Sequence, residues 1–122
     1  MSMSHIEEVK TELTDVAVLE RAIVKLYGSL NKNATISSRW VGTHNVDYKL
    51  NSEFGLVKKD GSYTIFGDFY GTGTTKDRVL QELTQTYSEI KVEDSLFRKG
   101  FSVESRKVNR NGEVHITYSR RR

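Results

Sequence analysis

One long amphipathic segment restricts the folds open to this chain more than any other feature. A turn rich in glycine and threonine at residues 71–75 is followed by a pattern that predicts about six turns of helix. Thr74 is the predicted N-cap, Asp77 suits the first turn, and Gly100 closes the helix. Apolar residues recur at steps of three and four and therefore share one face: Val79, Leu80, Leu83, Tyr87 and Ile90. That face needs a sheet to cover it, and strands are predicted on both sides of the helix.

The remaining pattern predicts short strands and one further helix. Alternating apolar residues predict strands near residues 5–13, 34–40, 46–50, 54–58 and 62–70, and two more strands after residue 101. An apolar stripe between Asp15 and Gly28 predicts the first helix. The pairs Asp60-Gly61 and Asn111-Gly112 predict hairpins with primed turns. We therefore predict an α+β fold in which an antiparallel sheet of about six or seven strands carries two helices on one face, related to the split βαβ plan with extra hairpins.

Composition excludes several classes of protein. The 122 residues contain no cysteine, which excludes disulfides, thiolate nucleophiles and cysteine-ligated metal sites. No linker or repeat divides the chain, so we predict a single domain over residues 1–122. The first residues turn acidic where a signal peptide needs an apolar run, and no window approaches the roughly 18 apolar residues of a membrane span. We expect a soluble, cytoplasmic protein that does not engage membranes.

Basic charge is concentrated in the last quarter of the chain. Residues 98–122 hold eight basic and two acidic side chains, a net charge of +6, whereas the whole chain carries +3. Such a cluster suits nucleic acid, nucleotide phosphates or an acidic protein face. Charge that protects an edge strand from aggregation, with residues 120–122 as a frayed basic tail, is the alternative explanation. The residues of this cluster that we assign to ligand binding are Arg106, Lys107, Arg110, Arg120 and Arg121.

The turn before the long helix is a second candidate for anion binding. Gly71 and Gly73 favour a loop with free backbone N–H groups at the positive end of a helix dipole, and Lys76 adds a positive charge. The spacing matches neither G-x-G-x-x-G nor the P-loop. Turn chemistry followed by a helix cap accounts for the same residues without a ligand.

Signals for catalysis are weak. His5, His44 and His115 lack a helical i, i+4 partner, so no metal site is predicted, and no motif such as G-x-S-x-G marks a nucleophile. Asp68, between Gly67 and Phe69, is a lone carboxylate that suits an acid or base in a cleft. We predict no enzymatic activity and no cofactor.

Aromatic residues crowd one predicted strand. Tyr63, Phe66, Phe69 and Tyr70 lie close together, with Trp40 and Tyr48 on other strands. A sheet face that carries aromatic rings beside basic side chains can stack single-stranded bases. Alternation places Tyr63 and Ile65 on one face and Phe66 on the other, so some of these rings are expected to form the core.

Several short motifs together carry a family resemblance. They are Met3-Ser4-His5-Ile6, the passage from Thr11 to Leu19, Asp60-Gly61 with Gly67-Asp68, the run LQELTQTY from Leu80 to Tyr87, and Lys99-Gly100-Phe101 leading into Asn111-Gly112. On these motifs the chain resembles the plastid and cyanobacterial family called hypothetical chloroplast reading frame thirty-five, a domain of unknown function with relatives in bacteria and phages. The resemblance implies a fold and a soluble compartment such as the cytoplasm or the plastid stroma. It brings no established activity, and residues 29–45 and 120–122 depart from it.

These observations together predict a small non-catalytic binding domain. The leading hypothesis is that an anionic ligand, a nucleotide or nucleic acid, binds the basic C-terminal hairpin. The alternative is a protein–protein adaptor or self-associating subunit, of a cell or a phage, that works through a sheet edge or an aromatic patch. An enzyme acting on a small polar substrate around Asp68 and the Gly71 loop is the third hypothesis.

Overall fold

The computed structural model describes residues 6–38 and 42–121 and confirms the α+β class. Its elements are β1 (Ile6–Lys10), α1 (Val16–Tyr27), β2 (Asn31–Ser38), β3 (Gly42–Lys49), β4 (Phe54–Lys59), β5 (Ser62–Asp68), α2 (Lys76–Arg98), β6 (Phe101–Val108) and β7 (Val114–Arg120). The strands form one five-stranded and one two-stranded sheet, where a single sheet was predicted. The chain divides into two compact units, a core unit (Met1–Tyr87) and a helix–hairpin unit (Ser88–Arg122). The single domain predicted for residues 1–122 stays a prediction.

The core unit is built on the five-stranded antiparallel sheet, in the order β1-β5-β4-β3-β2. The hairpin predicted at Asp60-Gly61 is confirmed between β4 and β5, and both turn residues have positive φ angles, 50° and 82°. The strand predicted from residue 34 starts earlier in the structure, because β2 already begins at Asn31. β2 is an edge strand, so its polar residues face solvent and mimic a loop in sequence. The predicted extension of this strand to Trp40 lies outside the described residues.

A row of buried side chains crosses the middle of this sheet. Leu56 of β4 pairs with Tyr48 of β3 on one side and with Ile65 of β5 on the other, and all three side chains are buried. The Tyr48 hydroxyl donates a hydrogen bond of 2.7 Å to Glu20, which connects α1 to this row. Burial raises the pKa of Tyr48, and the hydrogen bond to Glu20 adds to the increase. The predicted split of the aromatic strand is confirmed, since Tyr63 is buried with Ile65 and Phe66 is only half-buried.

α1 begins and ends as its sequence predicts. The Asp15 side chain caps it by accepting a hydrogen bond from the N–H of Val18, and Gly28 ends it in the left-handed conformation with its N–H bonded to Val24. Its buried residues recur at helical spacing: Val18, Leu19, Ala22 and Ile23. These side chains supply the layer that covers the sheet.

Two glycines allow the central strands to approach closely. A Cβ atom at Gly67, where φ is 154°, would lie 2.5 Å from the Cα of Phe54. A Cβ atom at Gly55 would overlap the carbonyl oxygen of Tyr48. Backbone atoms cannot move aside as a flexible side chain can, so both positions require glycine.

α2 confirms the long helix with one correction at its start. Thr75, and not the predicted Thr74, caps it, because the Thr75 hydroxyl accepts the N–H of Arg78 at 3.1 Å. The predicted apolar stripe is buried at Val79, Leu83, Tyr87 and Ile90. Within the core unit, the Tyr87 hydroxyl accepts the backbone N–H of Asp15 at 2.9 Å, which links the helix to the start of α1.

The helix–hairpin unit contains the C-terminal part of α2 and the two-stranded sheet β6-β7. The predicted hairpin is confirmed, but its turn is different: Asn109 and Glu113 close a wider loop, in which the N–H of Gly112 donates to the carbonyl of Asn109 at 3.1 Å. One face of the sheet carries most of the apolar side chains, together with Arg106 and Arg120, and the other face is polar. The apolar face carries Phe101, Val103, Val108, Val114, Ile116 and Tyr118.

Candidate functional site

Arg106, the first basic residue assigned to ligand binding, is already paired with a carboxylate within the helix–hairpin unit. Its guanidinium donates two hydrogen bonds of 3.0 Å to the Glu89 carboxylate, which is only 8% exposed. The hydrogen bond to Glu89 raises the pKa of Arg106, and the charge of Glu93 also contributes. The guanidinium thus uses for Glu89 the two N–H groups with which it could bind a phosphate. Arg106 therefore holds the hairpin on the helix.

Lys107 and Arg110 are the accessible cations of the hairpin. Lys107 lies opposite His115 on the polar face of β6-β7, and Arg110 lies in the loop between the two strands. Both side chains are exposed, and neither forms an ion pair with another residue of the described chain. They are the members of the predicted cluster that can reach a partner without breaking an internal contact.

Arg120 and Arg121 are held at the end of β7, contrary to the frayed tail predicted for residues 120–122. Arg120 pairs with Phe101, and its guanidinium lies 5.0 Å from the centre of that ring. The N–H of Arg121 donates to the carbonyl of Gly100 at 2.6 Å, and its guanidinium stacks 3.6 Å from the ring of Phe97. The aromatic residues that hold them come from the start of β6 and the end of α2. Arg122 lies outside the described residues.

The glycine turn before α2 has a structural role within the core unit. Gly71 and Gly73 have φ angles of 76° and 80° with open space where a Cβ would lie, as expected for turn residues. Lys76 forms an ion pair of 3.1 Å with Glu7, and the hydrogen bond to Glu7 raises the pKa of Lys76. The positive charge predicted for a phosphate is therefore shared with a carboxylate. The Glu7 contact joins residues far apart in sequence and has no local signal.

Asp68 is a buried residue of the core unit. Its side chain is 3% exposed and accepts hydrogen bonds from the Ser38 hydroxyl and from the N–H of Tyr70, the latter at 3.0 Å. Its own N–H donates to the carbonyl of Glu53 at 2.9 Å. These bonds tie the end of β5 to the end of β2 and to the turn before β4. Each carboxylate oxygen accepts one of these hydrogen bonds, which accounts structurally for the buried carboxylate.

The aromatic rings are mostly packed inside the core unit. Phe69 is buried and stacks on Phe54 with 4.6 Å between ring centres, and Tyr63 lies 5.6 Å from Tyr48. Among the described aromatic residues of this unit, Tyr70 is the exception, at 70% exposure, and Trp40 lies outside the described residues. A single exposed ring does not form the row of rings that stacks successive bases.

Exposed hydrophobic residues distinguish the helix–hairpin unit. Phe97 and Val108 are 54% and 55% exposed, and Val92 and Val103 are 48% and 39% exposed. Val103 and Val108 lie on the apolar face of the β6-β7 sheet. Sequence reasoning missed this surface, because the alternation of β6 and β7 indicates a face to be buried and does not show how much covers it.

Two classes of site receive no support from the described residues. No three histidine, aspartate or glutamate side chains among residues 6–38 and 42–121 are grouped closely enough to hold a metal ion. In the same part of the chain, no helix is long and apolar enough to cross a membrane.

A comparison with protein families identifies a domain. The model of the family described as "Protein of unknown function (DUF1257)" matches residues 23–117. This match covers most of the core unit and nearly all of the helix–hairpin unit. Neither a curated protein nor a solved structure matches the chain significantly. The narrower resemblance to the plastid and cyanobacterial proteins, with relatives in phages, stays a prediction.

Proposed function

We propose that this chain, which belongs to the DUF1257 family of proteins of unknown function, is a non-catalytic binding domain whose helix–hairpin unit binds an acidic polypeptide. The observation that carries the proposal is that exposed hydrophobic side chains and accessible cations occur on the same hairpin. Val103 and Val108 are exposed on the apolar face of the hairpin, and Lys107 and Arg110 have no ion pair within the described residues. Exposed apolar side chains combined with charged ones are typical of protein-binding surfaces.

A protein partner suits this surface better than nucleic acid. Arg121 and Arg120 already lie over the rings of Phe97 and Phe101, so one face of each ring is taken and cannot stack a base. Arg106 donates its paired N–H groups to Glu89 instead of a phosphate. Valine side chains contact apolar residues of a polypeptide, whereas they contribute no stacking.

The partner is expected to be acidic and different from this chain. Residues 88–122 hold nine basic and five acidic residues, so two copies of the helix–hairpin unit would bring like charges together. An acidic segment with apolar residues complements both features of the surface. Association with it would weaken as salt screens the charges.

A displayed library of random peptides of about ten residues, panned against the full chain, tests the proposal. We expect enrichment of peptides that combine Asp or Glu with apolar residues. A variant with Lys107→Glu and Arg110→Glu should bind them at least about tenfold more weakly. The matched control carries Lys10→Glu and Lys58→Glu, two exposed lysines of the core unit with the same change of charge.

Each alternative result decides against the proposal. If the control variant loses as much affinity as the hairpin variant, only the overall charge attracts the peptides. If the library yields no binder while short RNA or DNA oligomers bind in a salt-dependent manner, the partner is nucleic acid.

A further inference from the structure

The outer edge of β7 is unpaired in the described part of the chain. β7 pairs with β6 alone. At one end of the hairpin the N–H of Arg121 bonds to Gly100 at 2.6 Å, and at the other end the N–H of Asn109 bonds to Glu113 at 3.0 Å. In an antiparallel pair, every second residue of a strand directs its backbone N–H and C=O groups to the partner strand. The bonds at both ends of the hairpin indicate that the odd-numbered residues of β7 are the ones directed towards β6. The backbone groups directed away from β6 are those of Val114, Ile116, Tyr118 and Arg120.

The two edges of this sheet differ in how they are protected. β6 is interrupted by a bulge at Glu104 and carries Arg106 and Lys107, and both devices discourage pairing with another strand. β7 has no bulge, and between Val114 and Ser119 its only titratable side chains are His115 and Tyr118. Its residues are mostly β-branched or aromatic, which favours an added strand. β7 is therefore the open edge of the hairpin.

We propose that the acidic polypeptide binds as a third strand along the outer edge of β7. This inference rests on the proposed function and specifies its binding mode. Alternate residues of the added strand would extend the apolar face beside Ile116 and Tyr118, which are half-buried. Acidic residues at its ends would approach Arg120 at one end and Arg110 in the loop at the other. A two-stranded sheet is marginally stable, so the hairpin itself gains from a third strand.

Amide hydrogen exchange read by NMR tests the binding mode, with the full chain and the peptides selected from the library. An added strand should protect the outward N–H groups of Val114, Ile116, Tyr118 and Arg120. The inward N–H groups of His115, Thr117 and Ser119 already bond to β6 and should change little. Uniform protection of all seven residues, or protection confined to the inward groups, would refute strand addition.

A proline substitution provides the second test. Ile116→Pro removes an outward N–H and leaves the bonds to β6 in place, whereas Ile116→Ala shortens the side chain and keeps the N–H. We expect Ile116→Pro to bind the selected peptides at least about tenfold more weakly than Ile116→Ala. Equal affinity of the two variants would overturn the inference. If Ile116→Pro does not fold, the exchange pattern of the unmodified chain still decides.

The outcomes separate the binding mode from the proposed function. Peptides that need Lys107 and Arg110 but produce no alternating protection would leave the proposed function standing and refute strand addition. A library without binders refutes both. Alternating protection in the chain alone, together with a dimeric mass in solution, would show that a second copy occupies the edge of β7 and would refute the acidic partner.

Discussion

The core unit and the helix–hairpin unit use their hydrophobic residues in opposite ways. Among the described residues, every buried hydrophobic side chain except Ile90 belongs to the core unit. The much shorter helix–hairpin unit contains four of the seven large hydrophobic residues that are exposed: Val92, Phe97, Val103 and Val108. Apolar area removed from water supplies most of the stability of a fold. The core unit therefore buries most of its hydrophobic residues in folding, whereas the helix–hairpin unit leaves several exposed.

The two units also differ in their ion pairs. In the core unit, Lys59 pairs with Glu8 and Lys76 pairs with Glu7, and all four side chains are at least 30% exposed. In the helix–hairpin unit, Glu89 is 8% exposed and depends on Arg106. Exposed pairs contribute little to stability, whereas a buried carboxylate that loses its cation is costly. In the helix–hairpin unit a polar pair therefore holds the hairpin on the helix, whereas in the core unit apolar packing holds the elements together.

The largest difference between the units should appear with a matched pair of glycine substitutions. Gly67→Ala places a Cβ against the backbone of Phe54, so we expect a loss of more than about 4 kcal/mol or failure to fold. Gly112→Ala also lies at a positive φ, of 83°, but has open space around its Cβ, and should cost about 1 kcal/mol. Urea unfolding of both variants measures the difference. Similar losses would mean that conformation, and not close packing, determines the requirement at Gly67.

Truncation of apolar side chains should separate the units next. Leu83 is fully buried in the core unit, and Leu83→Ala should destabilise the chain by about 3 kcal/mol. Val108→Ala in the hairpin should cost less than about 0.5 kcal/mol, because that side chain is 55% exposed. Denaturant midpoints at constant slope give both values. A loss at Val108 as large as at Leu83 would contradict its availability to a partner.

Sequence patterns predicted the regular parts of both units and missed the contacts between distant residues. The caps at Asp15 and Gly28, the Asp60-Gly61 turn and the stripe of α2 all follow local rules, and all are present. The prediction placed the start of β2 too late, because polar residues are common in an edge strand.

The candidate site was only partly predictable. Lys107 and Arg110 are exposed as a binding role requires, but Arg106 and Lys76 are paired with Glu89 and Glu7. No rule of local spacing shows which acidic residue a fold will bring to a given cation. The unprotected edge of β7 became visible only once its pairing register was known.

The Arg106–Glu89 pair provides the third test of the comparison. Arg106→Met leaves the buried Glu89 carboxylate without its cation and should cost about 2 kcal/mol. Glu89→Leu removes the buried charge, so the double variant should recover at least about half of that loss. A double-mutant cycle by urea unfolding measures the coupling. Additive effects of the two changes would show that the pair does not hold the hairpin on the helix.

The smallest expected difference concerns alkaline pH. Burial, reinforced by the charge of Glu82, raises the pKa of Tyr27 in the core unit to about 12, above its ordinary value of 10.0. The folded state therefore holds this proton more tightly than the unfolded state, so the stabilisation is complete below pH 10 and is lost as the pH rises towards 12. At pH 11 the loss should be about 1 kcal/mol. Tyr27→Phe should reduce the decline in unfolding free energy between pH 9 and 11. An unchanged decline in Tyr27→Phe would locate the alkaline sensitivity at another residue, of which Tyr48 is the next candidate because burial raises its pKa as well.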